Sequence, residues 1–252
     1  MKKFIQKCIK FLDKLFNRRI RKHCLDFACC VIFGERGAGK STTFALIVEE
    51  ALRQGREVYC QYPYEGVHMI PLKAETYKGV TRFDIDKDWL YSHAFEEGAV
   101  ILIDEGSTVW PARDFARWSK LDSDFFNFIR KQHITIAIAT QYYDQLDLNV
   151  KRSADETWFE TIPNFFKGFT TIETSKTLTV KIADNNTEVV GKAFKRGARK
   201  VSYDICEIPL GNYHLYRRPY YGKFLTNYVP FKKTAQPQPL WNDYVDFEQI
   251  KN

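Results

Sequence analysis

With 252 residues, 44% of them hydrophobic, the chain has material for a filled core and one or two domains. Nowhere do the ~18 consecutive apolar residues needed to span a bilayer occur. The N-terminus has neither a continuous apolar stretch nor a small-residue cleavage site, which excludes a secretory signal. The formal net charge of +7 is concentrated: residues 1–22 hold nine Lys and Arg against Asp13 alone, so this segment carries +8 and the rest sums to −1. The high pI therefore describes an N-terminal arm, whose partners would be negatively charged, such as nucleic acid or anionic lipid. Six cysteines show no metal-ligand or C-x-x-C spacing and read as reduced, buried thiols.

In chain order, residues 3–22 predict one amphipathic helix. Phe4, Ile5, Cys8, Ile9, Phe11, Leu12, Leu15, Phe16 and Ile20 recur at three- and four-residue spacing, with Lys and Arg opposite. Residues 26–33 predict a buried strand, 40–53 a helix and 57–62 a short strand. Between 63 and 98, interrupted by Pro63, Pro71 and Gly79, a small hairpin around Gly66 and a helix over 86–96 are expected. Apolar strands are predicted at 99–103 and 134–139, and a further strand at 156–161. Strands alternating with helices imply an α/β fold with a mainly parallel sheet. From about residue 163 the chain turns β-rich (170–182, 189–190, 200–205), then aromatic over 213–228. The organisation expected is a basic helix at 1–23, a core domain at 24–230 with its β-rich extension leaning on it, and a tail at 231–252.

Residues 34–41 read Gly34-Glu35-Arg36-Gly37-Ala38-Gly39-Lys40-Ser41, a complete G-x-x-x-x-G-K-[ST] phosphate loop between a buried strand and a helix. The glycines let backbone N–H groups turn toward one phosphate chain, and the helix N-terminus adds partial positive charge. Lys40 is the candidate for the β- and γ-phosphates. Ser41 is the candidate ligand for Mg²⁺, with Thr42 following in the nucleotide-binding run. The strand at 99–103 delivers Asp104 to its C-terminal end, where it would hold the Mg²⁺ shell. Glu105, one residue further, could orient and deprotonate water. The strand at 134–139 ends in Thr140-Gln141; Gln141 is the first candidate for sensing the γ-phosphate and Thr140 the second. Arg113, Arg117, Arg130 and Arg152 are all possible sources of transition-state charge, and no spacing separates them. His133 reads as a capping or packing residue.

The stretch Ile103-Asp104-Glu105-Gly106, Trp110-Pro111-Ala112-Arg113, Phe128 through His133, Ala139-Thr140-Gln141, Leu146-Asp147 and Lys151-Arg152 resembles the zonular occludens toxin-like family. Those are morphogenesis ATPases of filamentous phages within the HerA/FtsK P-loop group. The Tyr220–Tyr228 run, YYGKFLTNY, is similar to the tyrosine-rich segment that closes the ATPase domain there. The resemblance implies a RecA-like P-loop fold of the additional-strand, catalytic-glutamate type. It also implies ATP and Mg²⁺ as cofactors, a ring of identical subunits, and DNA or nucleoprotein as cargo. Phage members carry a transmembrane helix and a periplasmic region after this domain. These 252 residues contain no such stretch, so membrane-spanning extrusion is not expected to carry over.

The function expected is an ATP-hydrolysing motor for DNA movement in virion assembly or packaging, in the cytoplasm of a bacterial host. Alternatives are a plasmid DNA-transfer or segregation ATPase and a nucleotide-dependent assembly switch with little turnover. A small-molecule kinase would need an arginine-rich lid that the sequence does not display. For the basic helix, three readings stay open: a peripheral membrane contact at the inner leaflet through residues 2–22, packing on its own body, and DNA binding.

Overall fold

The computed structural model describes residues 2–77, 80–112, 118–163, 168–183, 201–221, 223 and 231–232. The chain opens with α1 (Lys2–Phe16) and α2 (Arg18–His23), followed by β1 (Cys29–Phe33), α3 (Lys40–Arg53), β2 (Val58–Cys60) and β3 (His68–Met69). After the hairpin β4 (Leu72–Tyr77) and β5 (Val80–Ile85) come α4 (Lys87–Ser92), β6 (Val100–Ile103), α5 (Gly106–Val109) and α6 (Lys120–Lys131). Then follow β7 (Thr135–Thr140), α7 (Leu148–Ser153), β8 (Glu156–Thr161), β9 (Phe169–Ala183), β10 (Val201–Tyr216) and β11 (Phe231–Lys232).

The main sheet has eight strands in the order β10-β9-β8-β1-β7-β6-β2-β3. From β8 to β3 every pairing is parallel, which requires a crossover between neighbours. β1, β6 and β7 are apolar because both of their faces are covered. The period of two divides their side chains: Cys30 and Ile32 face the α3 layer, whereas Cys29 and Val31 face the layer of α6. β7 lies between β1 and β6, so the strand ending in Gln141 is inserted between the phosphate-loop strand and the strand ending in Asp104. The expected mainly parallel α/β fold is thus found.

Several elements differ from their sequence expectations. β9 and β10 pair antiparallel with each other, and β9 with β8, so they extend the main sheet as its edge instead of leaning on it. A bulge between Pro209 and Gly211 lets β10 run on as one strand. The hairpin in the middle region is β4–β5, not a turn around Gly66, which only links β2 to β3. β4–β5 pairs with β11 as a separate three-stranded sheet. The helix expected over 86–96 is shorter: Asp86 caps it by accepting from the backbone N–H groups of Asp88 and Trp89, and His93 is already extended. His133 caps α6 through its backbone: with φ 53 it takes the left-handed position after the helix, the Ile134 N–H closes back on the Ile129 carbonyl at 3.0 Å, and the chain turns into β7. The expected strand at 189–190, Arg113, Arg117, the tail from residue 233 and most of the tyrosine-rich segment lie outside the described residues.

The helix expected over residues 3–22 is interrupted only at Asn17, whose N–H and C=O both keep helical bonds, to Asp13 and from Arg21. Asn17 is fully buried. Its Nδ2 donates to the Tyr216 carbonyl at 2.9 Å, and its Oδ1 accepts from the Tyr216 N–H at 2.7 Å. Ile20 and Cys24 enter the core beside α3. The arm from Asp13 onward therefore belongs to the folded body.

Candidate functional site

The C-terminal ends of β1, β6 and β7 converge on a cavity of about 510 Å³. From the loop after β1 come Arg36, Gly37 and Gly39, and from the first turn of α3 Lys40, Ser41 and Thr42. Asp104 and Glu105 enter from β6, and Gln141 from β7. Gly34, Glu35 and Ala38 hold the loop in shape instead of lining the cavity. The carbonyls of Gly34 and Glu35 accept from Lys40 Nζ at 2.6 and 3.2 Å. The Ala38 carbonyl accepts from Thr170 Oγ1 at 2.7 Å, which ties the loop to β9.

Glycine is obligatory at Gly39 for two reasons. Its φ of 137° suits no side chain, and a Cβ there would stand 2.3 Å from Thr170 Oγ1. Gly39 also precedes α3 without supplying a side-chain cap, and the first turn of α3 holds no acid. The helix N-terminus thus presents backbone donors and its partial positive charge to the cavity, as an anion site requires.

Asp104 is enclosed at the end of β6. Burial, followed by the neighbouring Glu105 charge, pushes its carboxyl above the usual range, while Lys40 and the Tyr62 hydroxyl act the other way. A cation beside it would reverse that shift. Glu105 begins α5 in the left-handed conformation, φ 56 and ψ 52, which is unfavourable for a side-chain-bearing residue and turns the carboxylate into the cavity. Both of its oxygens are held: Oε1 accepts from Ser107 Oγ at 2.8 Å and Oε2 from Gln141 Nε2 at 3.3 Å. Gln141 and Glu105 are therefore in direct contact. Thr140 is not available to the cavity, because its hydroxyl donates to the Tyr142 carbonyl at 3.2 Å.

The fourth wall was not legible from sequence spacing. Arg217, Tyr220 and Tyr221 follow β10 and line the cavity together with Tyr62 and Phe44. The Arg217 Nε is buried without a hydrogen-bond partner among the described residues, and its guanidinium lies 5.7 Å from the Tyr221 ring centre. Behind α3, the buried Glu160 accepts from Thr43 Oγ1 at 2.5 Å, and its Oε2 is unpaired among the described residues. Burial raises its carboxyl to about 7, against the pull of Thr43, Lys40 and Arg217. Arg130 is committed elsewhere, to Ser153 and Asp155 at the opposite end of the strands. Arg152 lies on α7 and does not line the cavity.

Among the described residues no cluster of three His, Cys, Asp or Glu could hold a metal unaided. The donor set present, a serine hydroxyl and one carboxylate next to a phosphate site, fits Mg²⁺, which usually takes few protein ligands and completes its shell with phosphate and water. The unpaired Arg217 Nε and the Gly39 cradle likewise fit a polyphosphate.

Residues 28–217 match the family described as Zonular occludens toxin (Zot). Among solved structures, the N-terminal domain of zonular occludens toxin from Neisseria meningitidis is similar at 19% identity and TM-score 0.41, covering 59% of this chain and 83% of that one. The genome packaging NTPase B204 from Sulfolobus turreted icosahedral virus 2, in complex with ATP-gammaS, is similar at 12% identity and TM-score 0.42, with 57% and 90% coverage. No curated protein sequence matches the chain. No helix among the described residues is long and apolar enough to cross a membrane.

Proposed function

Because this chain belongs to the zonular occludens toxin family, we propose that it is a Mg²⁺-dependent ATPase that moves DNA during virion assembly or genome packaging. The observation that carries the reading is the convergence of Lys40, Asp104, Glu105 and Gln141 on one cavity, with β7 between β1 and β6. Lys40 and the first turn of α3 bind the phosphate chain, and Arg217 adds charge from the opposite wall. Ser41 and Asp104 would hold Mg²⁺, which supplies charge neutralisation at the phosphates. Glu105 takes the proton from a water aligned with the γ-phosphate. Gln141 fixes the direction of that carboxylate through one N–H and has a second N–H to offer the γ-phosphate. The packaging NTPase among the similar structures is consistent with DNA as cargo, and a ring of identical subunits in the host cytoplasm would let neighbours act in turn.

The test is ATP turnover with and without single- and double-stranded DNA. Lys40→Ala should abolish binding or turnover. Glu105→Gln should retain nucleotide binding and lose about 10²-fold or more in rate. Wild-type turnover by Glu105→Gln would remove the assignment of the base. Mixing inactive Lys40→Ala subunits into wild type should depress activity more than in proportion; strictly proportional dilution would remove the ring.

A further inference from the structure

We propose that the free side of α1 lies on an anionic lipid surface. The arm is fastened to the body along one narrow seam, made by the Asn17 bonds to Tyr216, by Ile20 in the core, and by Phe16 edge-on to Phe169 at 5.1 Å. That seam leaves another side of the helix uncovered. Phe4, Phe11 and Leu15 are 71%, 67% and 59% exposed, and their spacing of seven and four residues sets them in one row, with Cys8 exposed among them. Lys7, Lys14 and Arg18 are also exposed and repeat the same spacing three residues on, so a row of cations runs beside the apolar row.

A lipid interface uses both rows at once. The rings enter the acyl boundary by roughly 5–10 Å while the cations stay with the headgroups. The arm holds +8 and the remaining chain −1, so attraction to an anionic leaflet is local to this helix. Duplex DNA would engage the cations and leave three large apolar side chains in water. A second copy seated on the rings would bring two cation rows together, which repel.

The experiment sediments the full-length protein with phosphatidylcholine vesicles and with vesicles that also contain phosphatidylglycerol, at low and at physiological salt. Partition to the anionic vesicles should be at least tenfold stronger and should weaken with salt. Phe4→Gln/Phe11→Gln/Leu15→Gln and, separately, Lys7→Gln/Lys14→Gln/Arg18→Gln should each lose at least tenfold, while the thermal midpoint and nucleotide affinity stay at wild-type values. Equal partition to both vesicle types, or none, overturns the proposal. So does a protein that ignores vesicles but binds duplex DNA through the cation row, or one that dimerises through the rings. A large drop in thermal midpoint for the apolar triple variant also overturns it, because those side chains would then be packed.

Discussion

Arg217 brings a permanent positive charge into a cavity whose loop and helix N-terminus suit a polyphosphate, and its Nε is buried without a partner among the described residues. Arg217→Ala is expected to lower single-turnover hydrolysis by about 10²-fold, the size of effect seen when one preorganised donor to a developing charge is lost. Lysine at this position should restore little, since a point charge lacks the planar fork. Glu160 makes a prediction of the opposite kind, on stability. Its folded pKa of about 7 lies above its ordinary 4.5, so the folded state binds the proton more tightly. The stabilising contribution is complete at acid pH and is lost as pH rises from about 4.5 to about 7, a change of about 3 kcal/mol. Urea denaturation across that range should show the fall in wild type and its absence in Glu160→Gln. At this scale the phosphate loop was legible because its residues are contiguous, and Asp104, Glu105 and Gln141 because each ends an apolar strand. Arg217, Tyr62 and Glu160 were not, since their proximity to Lys40 depends on which strand neighbours which.

The order of the strands explains why the side chains of the site meet. β7 is placed between β1 and β6, so the Gln141 amide reaches the Glu105 carboxylate across the gap between adjacent strand ends. The sequence could identify these strands from their apolar runs, but runs of that kind carry no information on order. The edge hairpin was harder still. The Thr- and Ile-rich stretch after residue 163 is plainly strand-like, yet only the pairing of β9 with β8 brings Thr170 under the phosphate loop. This support yields a prediction: Gly39→Ala should lose nucleotide binding, because the added carbon must displace either the loop or β9. Isothermal titration with ATP, alongside a thermal melt, separates a lost site from a lost fold.

For the molecule as a whole, the arm divides at Asp13. Removing residues 1–12 takes away Phe4 and Phe11 and leaves Leu15, Asn17, Ile20 and the Asp13–Arg21 ion pair in place. That form should melt at the wild-type midpoint and hydrolyse ATP normally. A chain starting near Lys22 reads from sequence alone as a soluble, active core. In the fold it loses a buried isoleucine, worth about 2–5 kcal/mol, and leaves the Tyr216 backbone unpaired, at about 1–3 kcal/mol for each group. Thermal unfolding should place it well below the shorter deletion. The Asn17 contact has a mechanical consequence as well. The carbonyl it grips belongs to the peptide that joins Tyr216 to Arg217, and the Arg217 N–H on the same plane is anchored to the Gly168 carbonyl at 2.9 Å. That plane is pinned at both edges, by the arm on one side and by the turn before β9 on the other, so the backbone from which the Arg217 side chain projects is held in place by the arm itself. The arm thus buttresses, from outside, the wall of the cavity that carries Arg217.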